Sequence, residues 1–337
     1  MNKVFASDSA NSQDQPHSNP RRKWLEPRWL IAHHWEIAIL LLVLCSALFI
    51  RGYAEASNLR NLMAQSAPIL LLAIGQTFVL LVRGIDLTQG AMAGLSSVML
   101  VVLLNVIGPI GAIVAVLLFA SALGFANGWL IARSRIDPLV ATLAGMYIIF
   151  GITMFWTGGT PVTRVNPTAA AFLEVLGNGS IGFVPVSFGT AVLLALGAYF
   201  FLHRLMIGLR LYAIGSNPKA AASLGIQRNL VFGVAYAASG VFTVIAALLL
   251  TSRIRQGNPH LGEGLLFESI GAAVLGGVSL AGGIGGVWAA ARGVAMLALI
   301  QNALYLTDLN SHVRDVAVGI MILAGILLAR RSRPGDV

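Results

Sequence analysis

Apolar runs of membrane-crossing length follow one another along most of this chain, with few charged residues inside them. They occupy residues 35–50, 64–82, 91–107, 110–132, 139–157, 186–202, 229–251, 265–280, 287–306 and 313–329. A helix rises about 1.5 Å per residue, so roughly 20 apolar residues cross the hydrocarbon core. Overall, 57% of the residues are hydrophobic and 10% are charged. A soluble domain carries roughly 25% charged residues, so no soluble core could hide this much apolar surface. The bilayer is therefore the solvent. Lipid offers no partner to a backbone N–H or C=O, which leaves helices as the natural way to satisfy these runs. The expected fold is all-α: a polytopic integral membrane helical bundle of about ten transmembrane helices. The third and fourth runs are parted only by "GPIG" at 108–111, which predicts a tight turn.

The formal net charge is +9. In a membrane protein such an excess belongs to cytoplasmic loops. Threading the ten spans from an inside N-terminus places Arg83, Arg133, Arg135, Arg204, Arg210, Lys219 and Arg228 in cytoplasmic loops. Arg51, Arg60, Arg164, Arg253, Arg255, Arg292 and Arg314 fall outside or within the membrane, and Arg253 with Arg255 is the pair that fits least well. Both termini are thus expected in the cytoplasm. Residues 1–28 are polar, lack a signal-peptide core and read as a disordered cytoplasmic tail. Residues 29–330 form the transmembrane domain, with a cytoplasmic loop at 204–228, and 331–337 form a second short tail. No stripe of Lys and Arg interleaved with aromatics points to nucleic acid. The one cysteine, Cys45, lies in an apolar run, so neither a disulfide nor a cysteine metal site is expected. No metal site and no catalytic residue are expected either. The phosphate-binding pattern GxxxxGK[ST] does not occur, so the chain does not hydrolyse ATP alone.

Four stretches depart from plain hydrophobicity. In "SNPKAAASLG" (216–225), Asn217 suits an N-cap and Pro218 the first helical position. Ala220 to Ala222 favour helix, and Gly225 suits the left-handed residue that closes it. A helix of about two turns is marginal in water, so it needs something to pack on. In "RGIDLTQG" (83–90), two glycines bracket Asp86 beside a span; it reads either as a cytoplasmic turn with Asp86 capping a helix or as a broken span. In "NGWLIARSRIDPLVATL" (127–143), Asn127 could bond across helices and Pro138 starts the next helix. In "ESIGAAVLGGVSLAGGIGGVWAAARG" (268–293), glycines permit close helix packing and a re-entrant turn, while Arg292 is expected to snorkel to the cytoplasmic interface.

Together, "GIDLTQG", "NGWLIA…DPLVATL", "LYAIGSNPKAAASLGI" and "IGAAVLGGVSLAGGIGG" resemble the permease subunit of ribose/xylose-type sugar importers of the ATP-binding-cassette class, in the superfamily that also holds branched-chain amino acid permeases. The resemblance runs from about residue 61 to 328. It implies that the capped segment is a cytoplasmic coupling helix docked on a separate ATPase, with Gly215, Asn217, Pro218, Ala220, Ala221, Gly225 and Ile226 as the matching positions. It also implies a periplasmic sugar-binding protein and a second permease subunit, identical or sister. ATP and magnesium would be used by the partner ATPase, and this chain would hold no cofactor. Departures are Arg83, where the family carries a second glycine, Gln89, "DPL" at 137–139, Leu266 in place of an acid, and Arg292.

The expected function is translocation of a monosaccharide or similar small polar solute across the bacterial inner membrane. Asp86, Thr88, Asn127, Thr142, Glu268 and Asn302 are the candidates for lining or hinging the path. Two other classes are weighed. A carrier driven by an ion gradient would want acids or broken helices at the midplane. A membrane enzyme would want clustered Asp or His near the interface, and the histidines here are scattered.

Overall fold

A computed structural model describes residues 34–307 and, beyond them, 310, 312, 313, 316–320 and 323. The expected tails at 1–28 and 331–337, and most of the run at 313–329, lie outside the described residues. The helices are α1 (His34–Phe49), α2 (Ala56–Leu81), α3 (Thr88–Ser134), α4 (Pro138–Thr157), α5 (Pro167–Asn178), α6 (Val186–Arg204), α7 (Met206–Ser216), α8 (Pro218–Ser223), α9 (Arg228–Ile254), α10 (Leu265–Leu275) and α11 (Val287–Tyr305). Between α5 and α6, β1 (Ser180–Ile181) and β2 (Val184–Pro185) pair antiparallel as a small hairpin. Among the described residues six helices, α2, α3, α4, α6, α9 and α11, are long and apolar enough to cross a membrane.

At 47 residues, α3 would measure about 70 Å if straight, more than twice the hydrocarbon core. It folds back instead. Gly108 leaves the helix at φ 73°, ψ 176°, and Pro109 follows it. Before the break, Gln89 meets Ser239 and Ser97 meets Thr251, so this arm runs parallel to α9. After it, Ala120 lies against Gly240, Gly124 against Tyr236 and Gly128 against Phe232, so the second arm runs antiparallel. The turn predicted at 108–111 is this reversal.

At the centre of the bundle stands α2. From Ala64 to Leu81 every residue but Gln65 is buried. Around it pack α9, α10, α11, α6 and the end of α7, sharing one core that includes Phe78, Phe242, Leu211 and Leu297. On the outer faces of α1, α3, α4 and α6, large apolar side chains such as Leu48, Ile110, Ile148 and Leu193 are exposed. Such surface would drive aggregation in water and is what lipid requires. Cys45 is exposed on the same kind of surface.

The expected span 265–280 takes a different form. Its helix, α10, is only 11 residues, about 16 Å, or half a membrane. The other half is the preceding arm "QGNPHLGEG" (256–264), which descends beside α3 without helical structure. Gly257 bridges Val162, the Asn258 N–H donates to Ser97 Oγ (3.1 Å), and Gly262 lies against Gly90. Glycine and proline disfavour a helix here, and the protein packed around the arm takes the place of water. Residues 82–87 form a matching non-helical arm before α3. Since Asp86 and Gln89 lie level with Ser239, near the middle of α9, both α3 and α10 begin near the centre of the bundle.

Candidate functional site

One end of the bundle carries α7 and α8. The short helix α8 is bracketed as its sequence predicts. Asn217 Oδ1 accepts the N–H groups of Lys219 and Ala220, both at 3.1 Å, and Pro218 needs no partner. At the other end Gly225 sits at φ +73°. Its N–H donates to Ala222 O (3.0 Å), and Ile226 N–H reaches back to Ala221 O (3.1 Å). This pair of bonds is the Schellman closure. The coupling positions divide into two groups. Ala221 and Gly215 are buried and seat the segment on the bundle, with Ile226 half-buried beside them. Asn217, Pro218, Ala220 and Gly225 are exposed, as is Leu224.

Where a plain loop was expected before α8, the structure places α7, whose C-terminus is held by Arg83. The guanidinium donates from Nε to Gly215 O (2.7 Å) and from Nη2 to Ser216 O (3.1 Å). A cation at a helix C-terminus satisfies orphan carbonyls and complements the dipole. At the same point Gly283 N–H donates to Leu81 O (3.0 Å). Gly215 fits so closely that a β-carbon would collide with Leu81 O and Gly283 N. Tyr212 ties α7 to the same loop, donating to Gly285 O (3.0 Å). Burial, with Tyr199 nearby, pushes its phenol above the usual range. Thus the segment before α8, the arm 82–87 and the loop 276–286 meet at one junction.

The non-helical arms are stabilised by a directed chain of hydrogen bonds at the centre. Ser269 Oγ donates to Gln89 Oε1 (3.2 Å), Gln89 Nε2 to Ser239 Oγ (3.0 Å), and Ser239 Oγ to Asp86 Oδ2 (2.7 Å). Asp86 Oδ1 accepts the N–H and hydroxyl of Thr88, the first residue of α3. Ile85 O, freed by the break, receives Thr142 Oγ1 (3.1 Å) and Tyr236 OH (3.3 Å). Buried polar groups at this depth must be paired, and these are.

Of the candidate path residues, Asp86, Thr88 and Thr142 are therefore buried supports of the broken span. Asn302 and Asn58 exchange amide hydrogen bonds (2.9 and 2.8 Å), joining α11 to α2. Asn127 is half-buried and, among the described residues, has no hydrogen bond. Glu268 alone faces a cavity, together with Gln65, Arg253, Gln301 and Tyr305. Arg292 reaches Glu36 on α1 (3.2 Å) rather than snorkelling free. Of the awkward arginine pair, Arg255 pairs with Glu174 on α5, and Arg253 lines that cavity. Gln65, Ser239 and Gln301 are not singled out by the sequence reading, and Gln89 is singled out there only as a departure from the family pattern. Their signal was an uncharged polar residue inside an apolar run.

A half-length helix, α10, a helix α3 that begins near the centre of the bundle, and a helix α7 clamped by Arg83 to the arm before α3 define a polytopic α-helical membrane protein. Residues 58–326 match the family described as branched-chain amino acid transport system / permease component, and the chain belongs to that family. It is 34% identical over 297 residues to the ribose import permease protein RbsC of Bacillus subtilis, covering 88% of this chain and 92% of that one. It is 32% identical to the autoinducer 2 import system permease protein LsrC of Escherichia coli O157:H7, covering 88% and 86%. Against RbsC of Escherichia coli strain K12 the identity is 28%, covering 93% and 98%. No solved structure matches the chain. The protein is a transport permease that crosses the bacterial inner membrane several times.

Proposed function

We propose that this protein is the membrane-spanning subunit of an ATP-driven importer of a monosaccharide or similar small polar solute. A separate cytoplasmic ATPase docks on α8, a periplasmic binding protein delivers the solute, and a second permease, identical or sister, completes the pathway. The ATPase holds ATP and magnesium; this chain moves solute and makes or breaks no covalent bond. The reading implies about ten spans with both termini in the cytoplasm. One observation carries it: α8 is a capped, outward-facing helix whose seat is joined through Arg83 to the arm of a broken span. A push on α8 thus has a short covalent and hydrogen-bonded route to the membrane centre. Two nucleotide states of the ATPase would each favour one arrangement of the bundle. The names of the relatives, which mention ribose and autoinducer 2, support a small solute. A carrier driven by an ion gradient would want an acid open to a coupling ion; both oxygens of Asp86 are engaged by protein donors, and the cavity that Glu268 faces is shared with the cation Arg253.

The test is co-purification and uptake with a candidate ATPase. Ala220→Arg and Leu224→Asp alter the exposed face of α8 without touching Ala221, which seats it. Each is expected to lower ATPase recovery and ATP-dependent uptake about tenfold while leaving thermal unfolding of the permease unchanged; a tenfold loss corresponds to about 1.4 kcal/mol of docking. Uptake that continues with no ATPase bound would sink the importer reading.

A further inference from the structure

The cavity that Glu268 faces lies between α2, α9, α10 and α11 and has a volume of about 300 Å³. Glu268 is in the first turn of α10, next to Ser269 and hence at the level of the central hydrogen-bond chain. Arg253 and Gln301 are near the ends of α9 and α11 farthest from α8. The space therefore extends from the membrane centre towards the surface opposite the coupling helix. Its lining is mixed: Pro68, Ile69, Leu250, Leu265, Leu304 and Val318 are apolar, and the remaining residues are polar. Gln65 is the single position between Ala64 and Leu81 of α2 that is not buried. Gln65, Arg253 and Gln301 all line the cavity, and none makes a hydrogen bond or ion pair with the described residues. Polar side chains that line a cavity without protein partners face water or a polar solute there, because hydrocarbon offers them nothing.

We propose that this cavity receives the imported solute, and that Gln65, Arg253, Glu268 and Gln301 bind the hydroxyl groups of a neutral polyhydroxylated ring. The chemistry is matched term by term. A hydroxyl both donates and accepts; the two amides do both, the guanidinium donates and the carboxylate accepts. Arg253 and Glu268 carry opposite formal charges, so the lining favours a neutral solute over an anion or a cation. At about 30 Å³ per water, the cavity holds on the order of ten waters, and one five- or six-carbon sugar displaces a similar volume. The inference rests on the importer reading for direction, with the solute arriving from the side opposite α8.

The experiment uses the full chain with its ATPase and binding protein in sealed vesicles, with Cys45→Ser as the background. Gln65→Cys and Gln301→Cys are exposed to a charged, membrane-impermeant thiosulfonate on the binding-protein side, without nucleotide. Reaction at least tenfold faster than at Leu193→Cys, on the exposed face of α6, is expected. Uptake of radiolabelled D-ribose, D-xylose and D-glucose is then compared between the parent and the Gln65→Leu, Gln301→Leu double variant. Loss of at least tenfold in uptake, with ATPase binding and ATP hydrolysis kept, is expected. Glu268→Gln, which keeps shape and removes charge, is expected to give a smaller loss. Labelling no faster than at Leu193→Cys overturns the cavity as a path. Import of none of the three sugars by the parent, or leucine variants that import at the parent rate, overturns the solute class. Failure of the ATPase to bind the parent chain would overturn the importer reading instead, and the labelling result would still judge the cavity.

Discussion

Arg83 sits at φ +65°, in the left-handed region where a β-carbon costs about 1 kcal/mol or more, yet its guanidinium is what closes the C-terminus of α7. Glycine would relieve the backbone and abolish the clamp; alanine would abolish the clamp and keep the strain. Arg83→Gly and Arg83→Ala are therefore expected to lose coupling alike, with ATP hydrolysed but uptake down about tenfold. They should differ in stability, the alanine variant being weaker by about 1 kcal/mol and melting at lower temperature. Equal melting of the two would show that the backbone at Arg83 is unstrained. Uptake at the parent rate in both would show that the clamp carries no motion. Nothing local in the sequence announced this role, because the carbonyls that Arg83 holds lie 132 and 133 residues away. The same is true of Gln89, whose partner Ser239 is 150 residues distant. Asp86, by contrast, was legible as a helix-start acceptor, since Thr88 lies only two residues further on.

Among the elements, α8 was readable from sequence and α10 was not, and the reason is physical. The caps of α8 are local: Asn217 acts on Lys219 and Ala220, and Gly225 and Ile226 act on Ala222 and Ala221. The half-span α10 and its arm are set by what packs on them, namely Gly90, Gly94 and Ser97 of α3, and a hydropathy window sees only one continuous apolar stretch. For the same reason α7 went unseen, since its buried residues Leu211 and Ile214 belong to a core built by distant spans. With six residues α8 has little stability of its own, so its caps matter more than they would in a long helix. Asn217→Ala is expected to cost about 1 kcal/mol locally, raising the open population of α8 about fivefold. Limited trypsin cleavage after Lys219, which is exposed, should speed up by that factor while the rest of the bundle resists. An unchanged cleavage rate would mean that contact at Ala221 alone holds α8 in place.

Among the described residues, most of the basic side chains sort by end. Arg83, Arg133, Arg135, Arg204, Arg210, Lys219 and Arg228 gather at the α8 end, next to helix termini that meet there. At the far end are Arg51, Arg60, Arg164, Arg253 and Arg255, and several are committed to neighbours. Arg255 pairs with Glu174, and Arg60 reaches Gly182 O (3.4 Å) and the Phe183 ring. Free surface cations prefer the cytoplasmic leaflet, each by about 1 kcal/mol where anionic lipid is near. The α8 end is therefore expected in the cytosol and the β1–β2 hairpin outside. With Cys45→Ser as the background, Ile181→Cys should react with an impermeant maleimide in spheroplasts, and Leu224→Cys only after the membrane is permeabilised. Both side chains are largely exposed, so access rather than burial decides the outcome. The arms 82–87 and 256–264 enter from opposite ends and stop near the same level, with the α7 junction on one side of it and the cavity that Glu268 faces on the other. If the labelling pattern is reversed, the junction faces away from any cytoplasmic ATPase, and the direction of transport proposed for the cavity reverses with it.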